Sequence, residues 1–350
     1  MNAVNMVESL DPAEIPDTTF GHLDRLSDGR GLFEHAIGAD HREGHGYCTD
    51  DNARLLVVTS RAPRDELAKH LSHLALNFVL DAFNDKGECR NRMDQTGHWA
   101  DRPRVNESWG RSIWGLGSAI RLHDDASVRE MALKGFECAV QQRSPRTRAM
   151  AFAAIGASEV LTTHPGHAGA RSLLADTLAL IPQIPAGRWA WPEPRLTCEN
   201  ATLAEAVIAA GAALHSEADL RRGLAMLTWL LNHETRDGHL SVTGAAGRGP
   251  NDEGPSIDQR PVEVAAMADA CWRAFELTGD TTWTLGIAMA VRWFNGHNDA
   301  NLPMHDPASG GGFDCLERDR VNINQGAEAS ISFISTMQRG RSLSPAVPAP

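Results

Sequence analysis

The chain has 350 residues, with 33 Lys and Arg against 45 Asp and Glu, a formal charge of −12. That balance repels a nucleic-acid backbone or an anionic membrane surface and favours a neutral or cationic ligand. Six cysteines (Cys48, Cys89, Cys138, Cys198, Cys271, Cys315) stand without a CxxC pair, which argues against a zinc ribbon and a small disulfide scaffold and suits reduced thiols in a cytoplasm.

The first twenty residues lack the basic and apolar regions of a secretion signal, and no run reaches the roughly 18 apolar residues of a membrane span, so a cytoplasmic, membrane-free protein is expected. Residues 1–16 read as an extension. From about 51 onward the apolar side chains recur at helical spacing: Leu67, Leu71, Leu74, Ala75, Phe78 and Ala82 form one stripe. Similar stripes follow at about 107–122, 126–142, 146–162, 168–182, 199–215, 217–233, 259–278, 281–296 and 326–338. Period-2 alternation is confined to short pieces such as HLSVTG, 239 to 244. Residues 340–350 read as a disordered Pro-rich tail.

Short connections after 61, 122, 162, 215 and 278 alternate with long ones at 84–106, 183–198, 234–258 and 297–325; only the link near 143–146 breaks the rule. Long loops recurring on one side of each helical pair suggest that one end of the molecule is elaborated for binding. A further short helix near 17–27 completes six hairpins. The expected fold is an all-α, single-domain (α/α)6 toroid over 17–339, with six parallel inner helices beginning at the same end.

Those beginnings carry Asp50-Asp51-Asn52, Asn106-Glu107-Ser108, Glu199-Asn200, Asp258-Gln259 and Asn324-Gln325; Arg146 and Arg148 mark the exception. Asp and Asn are also the preferred helix caps, and acids suit a first turn. A cap does not account for the amides and tryptophans around them, so the ring is read as a functional rim. Aromatic faces, carboxylates, amides and guanidiniums together suit a sugar. Glycoside cleavage needs a protonated acid and a second carboxylate. Glu107, beside Trp109 and Trp114, is the expected general acid, its pKa raised by burial; Asp258, Asp51 and Asp50 compete for the base. Trp189 and Trp191 lie in a loop, with binding and packing both open.

The blocks HLDRLSDGRGLFEHA, HGYCTDDNARLL, ESWGRSIWGLG, DQRPVEVAAM and GGGFDCLERDRVNINQGAEASISF resemble a bacterial family of the six-hairpin glycosidase superfamily, over roughly 20 to 338. Its members resemble glycoside hydrolases, are sometimes labelled glycosyltransferase-associated, and occur near mannoside phosphorylase-like enzymes. In that family an acidic pair followed by Ser-His-Gly-Arg occupies the place of Asn106 to Arg111, so Trp109 stands where His is expected and implies a changed subsite. The resemblance implies a toroid acting on an oligosaccharide, with mannose suggested by gene neighbourhood alone.

On this reading the substrate-binding candidates are His45, Tyr47, Asn52, Trp109, Arg111, Trp189, Trp191, Glu199, Asn200, Gln259, Glu263, Arg320, Asn324, Gln325 and Glu328. Arg320 either holds a sugar hydroxyl or a phosphate, or neutralises rim acids. No cofactor or metal is expected. Asp50 to Arg54 lacks the acid ligand of an Mg²⁺-binding aspartate motif at Arg54, and His41, His45 and Cys48 lack a fourth ligand. Two other classes remain: a sugar isomerase or epimerase using His98, His239, His297 or His305, and a non-catalytic glycan-binding protein. A glycoside phosphorylase would differ only in its acceptor. The expected hydrolase inverts, by analogy with related toroids, and is a monomer or homodimer.

Overall fold

A computed structural model describes residues 10–343. The inner helices are α2 (Thr49–Ser60), α4 (Glu107–Leu122), α6 (Thr147–Thr163), α8 (Asn200–Ala213), α10 (Pro261–Thr278) and α12 (Ala327–Leu343). Each packs on the next, and α12 packs back on α2 to close the ring. Outside them lie α3 (Glu66–Ala82), α5 (Ala126–Ala139), α7 (Ala168–Leu180), α9 (Glu217–His233), α11 (Thr282–Phe294) and the short α1 (Gly21–Arg25), which packs against α12. The (α/α)6 toroid expected from alternating loop lengths is therefore present. α12 runs to Leu343, past the expected end of the toroid at 339; the rest of the expected tail and residues 1–9 lie outside the described residues.

The inner helices are buried almost all round, as a middle layer requires. The seam between α4 and α6 is close enough that only glycine fits: a Cβ on Gly110 would lie 2.2 Å from Ala149 O, one on Gly117 2.2 Å from Gly156 O, and one on Gly156 2.2 Å from Ile113 O.

The four outer helices α3, α5, α7 and α9 begin with side-chain caps, from Asp65, Asp125, His167 and Ser216. The inner helices α2, α4, α6, α8 and α10 have none; their cap positions are Cys48, Asn106, Arg146, Glu199 and Arg260. The polar residues at the inner rim are thus committed to something other than capping their own helices.

The long connections carry two-stranded ribbons: β1 (Ala36–Ile37) with β2 (Asp40–His41), β3 (Tyr47–Cys48) with β4 (Arg92–Met93), β5 (Thr235–Arg236) with β6 (His239–Leu240), and β7 (Cys315–Leu316) with β8 (Val321–Asn322). They cover the end at which the inner helices start.

Candidate active site

A cleft of about 410 Å³ opens at that end, lined by side chains from α2, α4 and α12, by the segments before them and by Arg260 at the start of α10. Two buried arginines organise its floor. Arg111 Nη1 donates to Asp50 Oδ1 at 2.8 Å and to Glu107 Oε2 at 3.4 Å, while its Nη2 donates to Glu199. Arg54 donates to Asp51 Oδ1 and Glu199 Oε1, each at 3.1 Å, and lies 3.3 Å from Glu328 Oε2. Each guanidinium thereby ties together carboxylates from three inner helices. Guanidinium suits this task because its fixed fork of donors serves several carboxylates at once.

The adjacent aspartates sit in different surroundings. Asp50 is partly exposed and accepts from Arg111 and from Asn91 Nδ2 at 2.9 Å. Asp51 is 3 % exposed; burial pushes its carboxyl up to about 7, Arg54 opposing that rise and the charges of Glu328 and Asp50 adding to it. Burial would likewise raise Glu199, but Arg111 and Arg54 outweigh it and hold that carboxyl down at about 2. Below the floor, burial pushes Glu263 up to about 8, helped by the nearby charge of Glu234. Glu263 accepts from Glu199 N at 2.6 Å and Asn200 N at 3.4 Å, so α10 supplies the cap that α8 lacks and helps hold Glu199 at φ 47°. Asn200 is buried and accepts from Arg148 at 3.0 Å.

The structure thus gathers Asp50, Asp51, Arg111 and Glu328 on the cleft, with Glu107 on the same guanidinium and Glu199, Asn200 and Glu263 packed beneath. Glu107 is not buried among tryptophans: its side chain is 35 % exposed. Trp109 points the other way, fully buried, its Nε1 donating to Ala139 O at 3.1 Å. Trp191 is buried against Trp229 and Trp189 meets Trp229 edge-on, so the pair packs on α9.

Several other rim residues hold loops. Tyr47 is buried and donates to Asp28 Oδ2 at 2.7 Å. Asn52 bonds Leu32 N and Cys48 O. Gln259 donates to Asp299 Oδ2 at 2.5 Å, and Asn324 accepts from Gly38 N at 3.0 Å. Gln325 accepts from the Ser309 hydroxyl at 2.5 Å. Asp258 is exposed on a loop at φ 59°, and Arg320 is exposed and pairs with Glu317; neither lines the cleft. His45 is exposed and meets His35 edge-on at 4.9 Å. Among His98, His239, His297 and His305 none lines the cleft, whereas His35 does.

Sequence reasoning passed over Arg54, Glu34, Arg92 and Arg260, all on the cleft wall. Arg54 carried a signal, a charged residue one helical turn past Asp50 and directly before the apolar run Leu55 to Val58. Glu34 carried little, lying in a stretch without periodicity.

Neither a protein-family model nor a curated protein sequence matches the chain. Among solved structures, a sugar epimerase from a ruminal bacterium superposes with TM-score 0.70 at 14% identity, covering 95% of this chain and 98% of that one. Cellobiose 2-epimerase from Bacillus thermoamylovorans gives 0.68 at 11%, covering 93% and 96%. An inactive variant of the GH76 α-1,6-mannanase of Salegentibacter sp., with two consecutive aspartates replaced by alanine and α-1,6-mannotetrose bound, gives 0.62 at 12%, covering 91% and 95%. The fold is the (α/α)6 toroid that these structures share. The toroids it resembles process carbohydrates, by cleavage in one case and by epimerisation in the others.

Proposed function

We propose that the protein is a glycoside hydrolase acting on an oligosaccharide, with Asp51 as general acid and Asp50 as the second carboxylate. The observation that carries this reading is the contrast between two neighbouring carboxyls on one cleft: Asp51 is buried, pushed up to about 7 and so still holds a proton near neutral pH, while Asp50 is partly exposed and accepts from Arg111 and Asn91. In the reaction the Asp51 carboxyl gives its proton to the glycosidic oxygen as the bond from the anomeric carbon breaks. Asp50 takes a proton from the water whose oxygen forms the new bond to that carbon. Arg111 orients Asp50 and keeps Glu107 at hand, and Arg54 holds Asp51 and Glu328 at fixed places on the wall. The mannanase whose variant lacks two consecutive aspartates supports a mannose-containing substrate.

The test is product release from mannose-, glucose-, galactose- and arabinose-containing oligosaccharides, with and without phosphate, comparing the native chain with Asp51→Asn and Asp50→Asn. Cleavage by the native chain and its loss in both variants is the expected result; cleavage retained in both would sink the assignment, and a phosphate requirement would make the enzyme a phosphorylase. The epimerase neighbours favour a second reading, in which Asp51 serves as proton carrier at the carbon beside a sugar carbonyl. Solvent deuterium entering C2 of a free sugar, without cleavage of any glycoside, selects that reading.

A further inference from the structure

We propose that the floor of this cleft is also a binding site for a divalent metal ion of borderline softness, of the Zn²⁺ class, held by Glu34, Cys48 and Asp51 with His35 and Asp50 beside them. Ligand atoms of Glu34, Cys48 and Asp51 lie within 4.8 Å of one another. Tetrahedral zinc with sulfur and oxygen ligands places those atoms about 3.5 Å apart, so closure requires about 1 Å of movement, within reach of side-chain rotation.

The thiol distinguishes this group from a patch of acids. Cys48 is 3 % exposed, and its Sγ is 3.3 Å from Asn91 Oδ1 and 3.7 Å from Asp50 Oδ2. Both oxygens also accept from N–H donors, Asn91 Oδ1 from Asp50 N and Asp50 Oδ2 from Asn91 Nδ2, so the sulfur lies among oxygen acceptors and its lone pairs are left for a cation.

The guanidiniums do not fill this place; they hold its walls. Glu34 gives Oε2 to Arg92 and turns Oε1 toward His35 Nε2, 3.7 Å away. Asp50 gives Oδ1 to Arg111 and Oδ2 to Asn91 Nδ2, the latter oxygen lying 3.7 Å from the thiol, and Asp51 gives Oδ1 to Arg54. In Glu34 and Asp51 an arginine outside the group anchors one carboxylate oxygen, the arrangement by which outer groups orient metal ligands. The backbone fixes the same positions: Cys48 pairs with Arg92 across β3 and β4, and Glu34 N donates to Gly46 O at 3.2 Å. Against the four arginines that line the cleft stand five carboxylates and the thiol. Thiolate with imidazole and carboxylate selects zinc-like ions over Mg²⁺ and Ca²⁺, which take oxygen.

A bound ion would occupy Asp51. Given the hydrolase reading above, zinc loading therefore suppresses cleavage, but the binding itself does not depend on that reading.

The experiment titrates chelator-treated protein with Co²⁺ and records the near-ultraviolet thiolate-to-cobalt charge-transfer band, followed by displacement with Zn²⁺. The expected result is one Co²⁺ per chain with a thiolate band, absent in Cys48→Ser, present in Cys138→Ser, and weakened at least 10-fold in affinity in Glu34→Gln, with circular dichroism verifying that each variant is folded. Glu34→Gln decides the matter should Cys48→Ser fail to fold. No stoichiometric binding, a band that survives in Cys48→Ser, or unchanged affinity in Glu34→Gln overturns the site. Any of those results leaves glycoside cleavage by the native chain, and so the hydrolase reading, untouched.

Discussion

The two ends of the toroid are both lined by arginines and carboxylates, yet they differ in how those charges are used. At the end where the inner helices finish, a cavity of about 530 Å³, larger than the candidate active site, is bordered by Arg61, Arg121, Arg273, Arg339, Glu159 and Trp272. There the acids are shared between arginines: Asp269 lies between Arg61 at 3.0 Å and Arg339 at 2.5 Å, and Glu159 between Arg121 at 2.6 Å and Arg273. Cations near helix C-termini also complement the helix dipole, so this end reads as a structural closure. At the opposite end Glu199 is shared in the same way between Arg54 and Arg111, but Asp50, Asp51 and Glu328, held by the same two arginines, line the cleft. Neither cavity size nor the presence of ion pairs separates the two ends; what does is carboxyl groups that ion-pair and still line a cleft, on helices that do not need them as caps.

The comparison can be broken most directly by Asp51→Asn. It is expected to lower kcat/KM by about 10²–10⁴-fold, the range for a lost general acid, with the thermal transition little changed. Arg273→Met at the other end is expected to do the reverse. Removing one partner of a buried charge network costs about 3–5 kcal/mol, read by denaturant unfolding, with activity per folded molecule retained. Similar losses of activity from both variants would erase the distinction between the ends.

Acid and base sharpen it further. Asp51 and Glu205, pushed up by burial to about 7, and Glu263, pushed up to about 8, keep protons in the fold that the unfolded chain releases above about pH 4. Their contribution to stability is present below that pH and is lost as pH rises through 7 to 8. Glu199 and Glu159, held at about 2 by arginines that outweigh burial, contribute above about pH 4.5, and that contribution is lost as pH falls toward 2. Thermal unfolding across pH should therefore show a maximum on the mildly acidic side, and Glu263→Gln should flatten its alkaline limb. Activity should fall above about pH 7 as Asp51 loses its proton. An alkaline limb unaltered by Glu263→Gln would remove Glu263 from the account. The smallest effect is assigned to Trp272→Ala, which removes the ring lying 5.6 Å from the Arg339 guanidinium and should cost about 0.5–1 kcal/mol for that contact beyond the lost packing, with no change in kcat.

The ring of helices was legible because helical spacing and loop length are local properties: short turns after 61, 122, 162, 215 and 278 mark outer partners, and each long loop marks a return to the inside. The rim was legible for Asp50 and Asp51 for the same reason, since a helix start is a local event. Side-chain direction was not. Trp109 and Glu107 are two residues apart on one helix, and which of them faces the cleft depends on the neighbouring helix that Trp109 packs toward. Tyr47, Asn52 and Gln259 are polar groups that tie loops together, a use that resembles ligand binding in sequence. Arg54 looked like a defect in a metal motif because its partners, Glu199 and Glu328, lie on helices far along the chain.

The glycine seam between α4 and α6 bears on how the molecule can move. Backbone against backbone at Gly110, Gly117 and Gly156 leaves no side chain there to reorient, so that stretch of the wall behaves as a rigid spine. Two seams away along the ring, α12 meets α2, and beside the cleft that join is fastened by Arg54 between Asp51 and Glu328. The ring is thus joined in two different ways, backbone to backbone at α4 and α6 and by a clasp of ions at α12 and α2, and a ligand that draws Glu328 away from Arg54 acts on the clasp.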